Sequence, residues 1–404
     1  MNIISEVQRS IKQARKFNGS LIRNTISYFL LSMTIYYGYS KYIVRYRRFI
    51  LFFGGGATKY LVARALFLNG EYDQSKNLYK EVIGSEPKHV DSYYGLSEVY
   101  RLSGNEDKAR DILTQVLTIS CRLKTWLLLA NLVNVEKDYI QLINLWAVEH
   151  LHWNIPKYHY DVNDYLIVAA LRAKKYEDAL LIVKELLENE SSDSFFLPAP
   201  IKKEFSIGNA KKALLCLKEI LNKNRIEFFL VSGTLLGCVR DRKMLKHDKD
   251  IDIGIWSNTK LSLLLKIISS SGIFDVSPMR TPHSLRIKHV NGTSIDIFYH
   301  YRTETSYWHG GTKLRWNNTP FNLIPYDFMG ESFLIPEDYD LYLTENYGSW
   351  MLEKKKFDSA FDTTNSEVIN GYELKIHAYK KLILSIKSND AEGIEYYKNK
   401  LNSF

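Results

Sequence analysis

Twenty-eight residues, from Phe228 to Ile255 (FFLVSGTLLGCVRDRKMLKHDKDIDIGI), constrain this chain more than any others. Phe228-Phe229-Leu230-Val231 is a short apolar run of strand-forming residues. Ser232-Gly233-Thr234 interrupts it with small polar residues, and Leu235 to Arg242 can begin a helix from that turn. His247 to Ile255 then alternates: Asp248, Asp250, Asp252 and Gly254 on one side, Ile251, Ile253 and Ile255 on the other. A strand repeats every two residues, so the carboxylates share a face and the isoleucines share the opposite one. Crowded carboxylates repel unless a cation sits among them, and Mg²⁺ (or Mn²⁺) takes oxygen ligands from one or two carboxylates plus substrate phosphates. The small turn supplies a complementary feature. Gly233 lets backbone approach a ligand closely, and free N–H groups at a helix start attract phosphate. A second acidic strand follows at Thr293–Tyr299, where Asp296 lies between Ile295 and Ile297.

This order of parts resembles the nucleotidyltransferase superfamily, which has a small Gly-Ser/Thr turn, an Asp-x-Asp strand and a third carboxylate on a neighbouring strand. SGTLLGCVRDRKMLKHDKDIDIGI is similar in particular to the LicD/fukutin branch. So is the tail LIPEDYDLYLTENYGSW, Leu334 to Trp350. The likeness covers roughly Lys211 to Trp350. It implies a metal-dependent phosphotransferase that moves a phospho-group, of phosphocholine or phospho-alditol type, from a CDP-activated donor to a hydroxyl of a cell-surface glycan. Asp250, Asp252 and Asp296 are then the catalytic metal ligands. Asp248 matches an acidic position of the motif, as a further ligand or an orienting group. Ser232, Gly233 and Thr234 bind phosphate, and Arg240 matches the family's arginine that neutralises the leaving phosphate. Two other readings stand beside this one. One is nucleotidyl transfer from the same metal site to a small molecule or glycan. The other is a repeat scaffold whose catalytic domain is vestigial.

His247 could hydrogen-bond phosphate or be a structural loop histidine. Arg286 and Lys288 share a face of the alternating run Leu285–Val290, where they either contact phosphate or are exposed edge charges. Trp308-His309-Gly310-Gly311 and Trp316 read as a loop before Pro320 and Pro325, placed to line a substrate cleft.

Ahead of this region a second pattern repeats. Leu66-Phe-Leu-Asn-Gly70-Glu-Tyr-Asp-Gln-Ser75-Lys recurs as Tyr100-Arg-Leu-Ser-Gly104-Asn-Glu-Asp-Lys-Ala109-Arg. Gly70 to Gly104 is 34 residues, the period of tetratricopeptide (TPR) helix pairs. Small residues recur in register, Ala63 with Ser97 and Ser75 with Ala109. Lys137-Asp-Tyr139 is a degenerate third turn, Lys174 to Leu180 a fourth, and Gly208 to Leu214 follows 34 residues after Lys174. Such an array predicts an α-solenoid, either a docking surface for a protein or glycan or a scaffold for the catalytic domain.

Residues 1–53 are basic and aromatic. Asn24 to Ser40 carries no charge and is followed at once by Lys41, Arg45, Arg47 and Arg48. Seventeen polar-diluted residues are just short of a comfortable span, and no small-residue cleavage site follows. A helix lying on an anionic membrane, a buried first helix of the next domain and a single span all remain open.

The expected architecture is α plus α/β: a helical N-terminal segment (1–53), a TPR-like α-solenoid (54–200) and a nucleotidyltransferase-fold domain with a small mixed sheet and C-terminal helices (201–404). Ser191 to Ser194 and Pro198-Ala-Pro200 mark the hinge. The +9 formal charge favours acidic partners, namely nucleotides, phosphorylated glycans or anionic lipid. No basic patch has the aromatic spacing of a base-stacking platform, which argues against nucleic acid. Cys121, Cys216 and Cys238 form neither a zinc spacing nor a disulfide framework, so a reducing compartment is expected: cytoplasmic, peripheral at the inner face of the membrane.

Overall fold

The computed structural model describes residues 3–189, 206–245, 249–354 and 356–404. Two compact units emerge. The first comprises Met1–Leu132, Ser262–Val276 and Lys288–Gly292; the second comprises Val133–Leu261, Ser277–Ile287 and Thr293–Phe404. The expected hinge at 191–200 lies outside the described residues.

Helical repeats organise the first unit. Gly56–Leu68 pairs with Tyr72–Ser85, and Val90–Leu102 with Glu106–Leu117. Gly70 and Gly104 end the first helix of each pair at φ of +77° and +72°, a conformation glycine adopts without a Cβ clash. The matched small residues meet inside each pair. The Ser75 hydroxyl donates to the Ala63 carbonyl at 2.8 Å, and Ser97 donates to the Ala109 carbonyl at 3.1 Å. Each buried hydroxyl thus finds an acceptor while the small neighbour lets the helices close. Gly208 does not continue the phase, because it lies inside the helix Ile207–Lys223 and not in an inter-helix turn.

Leu21–Tyr36 is a helix of 16 residues, about 24 Å at 1.5 Å per residue, shorter than the ~30 Å hydrocarbon core of a bilayer. Among the described residues no helix is long and apolar enough to cross a membrane. Phe17, Tyr28, Ile35 and Ile43 instead join Leu61, Leu66, Val82 and Leu96 in the first unit's core. The segment is buried on one side only, since Ile22, Ile26 and Leu30 remain exposed.

The strands in chain order are β1 (Phe228–Leu230), β2 (Asp250–Trp256), β3 (Phe274–Val276), β4 (Ser284–His289) and β5 (Ser294–Arg302). They continue with β6 (Tyr307–Gly310), β7 (Leu314–Asn318), β8 (Leu323–Phe328), β9 (Glu331–Pro336) and β10 (Ser366–Val368). In the second unit they follow the order β10-β7-β6-β5-β2-β1-β9-β8, with β4 also paired to β5. β2 runs parallel to β5 and antiparallel to β1, and β1 runs parallel to β9, so the sheet is mixed, as expected. Ile251, Ile253, Ile255, Ile295 and Ile297 are all fully buried, and this holds the other faces of β2 and β5 in one orientation. The stretch around Trp308 and Trp316 is a hairpin, β6 with β7, where a loop was expected: His309 lies opposite Trp316 and Gly310 opposite Arg315. Tyr307, Trp308 and Trp316 favour strand there, which the prolines at 320 and 325 do not interrupt.

Candidate active site

The register of β2 on β5 places Asp252 beside Asp296 and Asp250 beside Ser294. Side chains at Asp250, Asp252 and Asp296 therefore rise from one face of two neighbouring parallel strands. Asp252 carries the connection to β1. The Gly233 N–H donates to the Asp252 carboxylate at 3.3 Å, and the Asp252 N–H donates to the Thr234 hydroxyl at 2.8 Å.

The helix starts earlier than expected, at Ser232, lasts only to Leu236, and passes into a π-helical turn, Gly237–Asp241. Ser232 adopts φ of +50°, a left-handed conformation costly for a residue with a Cβ. Such strain persists only where surrounding contacts fix it, here the two hydrogen bonds to Asp252. Thr234 is buried and serves that connection, while Ser232 and Gly233 face a cavity.

That cavity, of about 670 Å³, is also lined by Asp252, Arg240, Lys243, His309, Trp316, Tyr347, Trp350 and Lys354. Its cationic side chains are those of Arg240, Lys243 and Lys354. Arg240 donates through Nε to Asp241 at 2.8 Å, which raises the guanidinium's pKa, and through a terminal nitrogen to the Trp350 carbonyl at 3.4 Å.

Arg286 is an exposed charge, as one of its two readings has it, and it meets carboxylates. Its Nε donates to Asp296 at 2.6 Å, and its terminal nitrogen contacts Asp296 and, at 3.2 Å, Asp250. The guanidinium is thus the cation between these carboxylates. Burial, then the nearby Asp296 charge, pushes Asp250 above its ordinary value. Asp250, Asp296 and Arg286 lie outside the cavity lining, whereas Asp252 lies on it. Among the described residues no group of three or more acidic, histidine or cysteine side chains is already drawn together as for a metal. In donor chemistry the three carboxylates suit a hard oxygen-seeking divalent ion, on condition that Arg286 yields its place to it. His247 and Asp248 lie outside the described residues.

Phe357, Ser359 and Thr363 line the cavity and carried no signal in the sequence, whereas Phe298, Asn346 and Tyr347 lie in stretches already singled out but had no role of their own. The tail from Leu334 to Trp350, matched only as a pattern, has a physical account. Pro336 ends β9, the Asp338 side chain accepts from the Leu341 N–H at 3.0 Å to cap the helix Tyr339–Tyr347, and Asp340 accepts the Trp350 indole N–H at 3.0 Å. Those two aspartates set Trp350 against the cavity.

A strained small-residue turn is thus joined to the first of two adjacent acidic strands, beside a cavity whose cations Arg240, Lys243 and Lys354 are matched by Asp241, Asp252 and Glu353. Residues 225–338 match the family model described as "LicD/FKTN/FKRP, nucleotidyltransferase domain", and residues 66–119 match a tetratricopeptide-repeat model. The chain carries both. It is similar to the ribitol-5-phosphate transferase FKTN of Homo sapiens, 26% identical over 160 residues, which are 37% of this chain and 35% of that protein. The protein of that name in Mus musculus is 22% identical over 194 residues, 46% of this chain and 40% of the other. An uncharacterized protein of Rickettsia typhi is 28% identical over 137 residues, 32% of this chain and 38% of its own. The chain spans between about a third and two-fifths of the length of these curated relatives.

Proposed function

We propose that the second unit transfers a phospho-group, of phosphocholine or phospho-alditol type, from a CDP-activated donor to a hydroxyl of a cell-surface glycan, with Mg²⁺ or Mn²⁺ as cofactor. The observation that carries the reading is the meeting of Asp252, Ser232, Gly233, Arg240 and Lys243 on one cavity, in a domain similar to ribitol-5-phosphate transferases. When bound, the divalent ion would neutralise charge on the donor's phosphates. Asp252, Asp296 and Asp250 would hold it, and Arg286 would turn from the carboxylates toward phosphate. Arg240 and Lys243 offset the charge that gathers on the departing nucleotide. Trp316, Tyr347 and Trp350 offer flat apolar surface to a sugar or base. The acceptor oxygen attacks the phosphorus bearing the transferred alcohol. The bond from that phosphorus to the bridging oxygen breaks, CMP leaves, and the hydroxyl proton passes to a carboxylate or to solvent.

The working site of this enzyme is the cytoplasmic face of a membrane, with the repeat surface open to a protein partner and no role for nucleic acid. The deciding experiment is incubation with a panel of nucleotide-activated donors, Mg²⁺ and a glycan acceptor. Acceptor-stimulated, Mg²⁺-dependent release of CMP is expected. Pyrophosphate release from CTP or ATP, with a nucleotide-labelled acceptor, would replace this reading by nucleotidyl transfer.

The ion pairs of Arg286 favour the second reading, a scaffold with an inactive site. Mn²⁺ binding followed by electron paramagnetic resonance separates the two. Binding by the native chain supports the enzyme; binding only after Arg286→Gln supports the scaffold.

A further inference from the structure

Between Glu6 and Glu71 the sequence contains no aspartate or glutamate: 64 residues, 7 to 70, with eleven lysines and arginines. Within this run the helices Ser40–Arg45 and Arg47–Phe53 carry an aromatic stripe. Tyr39, Tyr42, Tyr46, Phe49 and Phe53 recur at steps of three, four, three and four, the spacing of a single helix face. All five are exposed, as is Phe52, and the helix Arg47–Phe53 buries no residue. Phe49, Phe52 and Phe53 are 69, 82 and 60% exposed. Lys41, Arg45 and Arg48 flank the stripe and form no ion pair among the described residues.

We propose that this stripe is the edge by which the chain inserts into an anionic lipid surface. The inference rests on the membrane-surface part of the function proposed above, and names the residues that make the contact. Aromatic side chains favour the headgroup boundary, where the rings are desolvated and the tyrosine hydroxyls stay wet, and flanking arginines reach lipid phosphates. The charge selects the occupant. A second copy would bring Lys41, Arg45 and Arg48, which carry no ion pair among the described residues, against their own counterparts, which like-charge contact disfavours. Single-stranded nucleic acid needs open aromatic faces. Here Phe49 and Phe52 each meet Phe53 edge-on, with centroids 4.9 Å apart and planes at 64° and 83°. Exposed Ile22, Ile26 and Leu30, spaced by four on the neighbouring helix, suit lipid and offer nothing to a base.

The test is flotation of the full chain with vesicles of phosphatidylcholine alone or mixed with phosphatidylglycerol, without substrate, so that this inference and the phosphotransfer reading can fail separately. Native protein is expected to float with the anionic vesicles and less so as salt rises. The triple substitution Phe49→Ser, Phe52→Ser, Phe53→Ser should lower partitioning roughly tenfold or more. Its melting temperature should be unchanged, since no buried side chain is altered. Replacing Lys41, Arg45 and Arg48 by Gln should remove the preference for anionic vesicles. Equal flotation of native and triple-substituted protein would overturn the proposal. So would absence of vesicle binding together with a stripe-dependent dimer in size-exclusion chromatography, or with a stripe-dependent shift of single-stranded RNA.

Discussion

Asp252 takes part in two separate relations, and substitution can separate them. Its backbone N–H holds Thr234, while its carboxylate accepts from Gly233 and faces the cavity. Asp252→Asn keeps an acceptor for Gly233 and loses the charge. Turnover should fall roughly a hundredfold or more with little change in melting temperature; near-native turnover would show that the proposed ligand set is misassigned. Thr234→Val does the reverse. It leaves a buried N–H unpaired and should cost about 1–3 kcal/mol in chemical denaturation. The histidines define a pH window. His300 and His309 stack at 4.4 Å, both buried. Burial pushes His309 down to about 4 and His300 well below its ordinary value, so the folded chain keeps both neutral. Unfolded, they protonate near 6.5. From about pH 6.5 down toward 4 the unfolded state therefore binds more protons, and stability falls as pH falls. Between pH 7 and 5 the loss from His309 should reach about 2 kcal/mol, and His300 adds to it in the same direction. A urea midpoint that does not move over that interval would contradict it.

At the scale of elements, the repeat pairs depend on close approach. A Cβ on Gly95 would stand 2.3 Å from the ring of Tyr79, which is buried and has no room to yield. Gly95→Ala should therefore destabilise the first unit by about 1–3 kcal/mol. Gly84, in a helix whose surroundings leave space for a Cβ, gives the control. There Gly→Ala should be neutral or stabilising, by up to about 1 kcal/mol. Urea unfolding of both variants measures the difference, and equal effects would mean that the helices are not packed as described. The 34-residue recurrence was readable because it is local: a glycine two residues before each second helix, and small residues twelve apart. Gly208 shared the interval but not the setting, so spacing alone placed it in a turn where a helix runs.

At the scale of the molecule, the N-terminal segment is part of a core as well as a surface. Removing the residues before Gly54 takes Phe17, Tyr28, Ile35 and Ile43 out of the first unit's core, at a cost of about 2–5 kcal/mol for each large side chain lost. A chain so shortened should aggregate or be cut rapidly by protease. One that melts like the full chain would show that the segment is dispensable. This is why point substitutions on the exposed stripe are the cleaner probe of membrane contact.

Period-two alternation by itself determined that Asp250 and Asp252 share a face opposite Ile251 and Ile253. Alternation holds in any strand, and burial of the isoleucines leaves no other orientation. The likeness of the 228–255 stretch and of the Leu334–Trp350 tail to a known domain was legible for the same reason, as short motifs whose parts lie close in the chain. Only the tertiary structure decided what those parts touch. Whether Arg286 faces phosphate or carboxylate depends on its meeting β5 and β2 at Asp296 and Asp250, a relation of strands 36 residues apart in sequence. Thr234 is buried, though its neighbours Ser232 and Gly233 are not, because the Asp252 N–H needs an acceptor. Phe357, Ser359 and Thr363 reach the cavity from a charged tail without motif or period. A wall assembled from distant segments leaves no periodic trace in any one of them, because the free energy that places each residue comes from partners elsewhere in the chain.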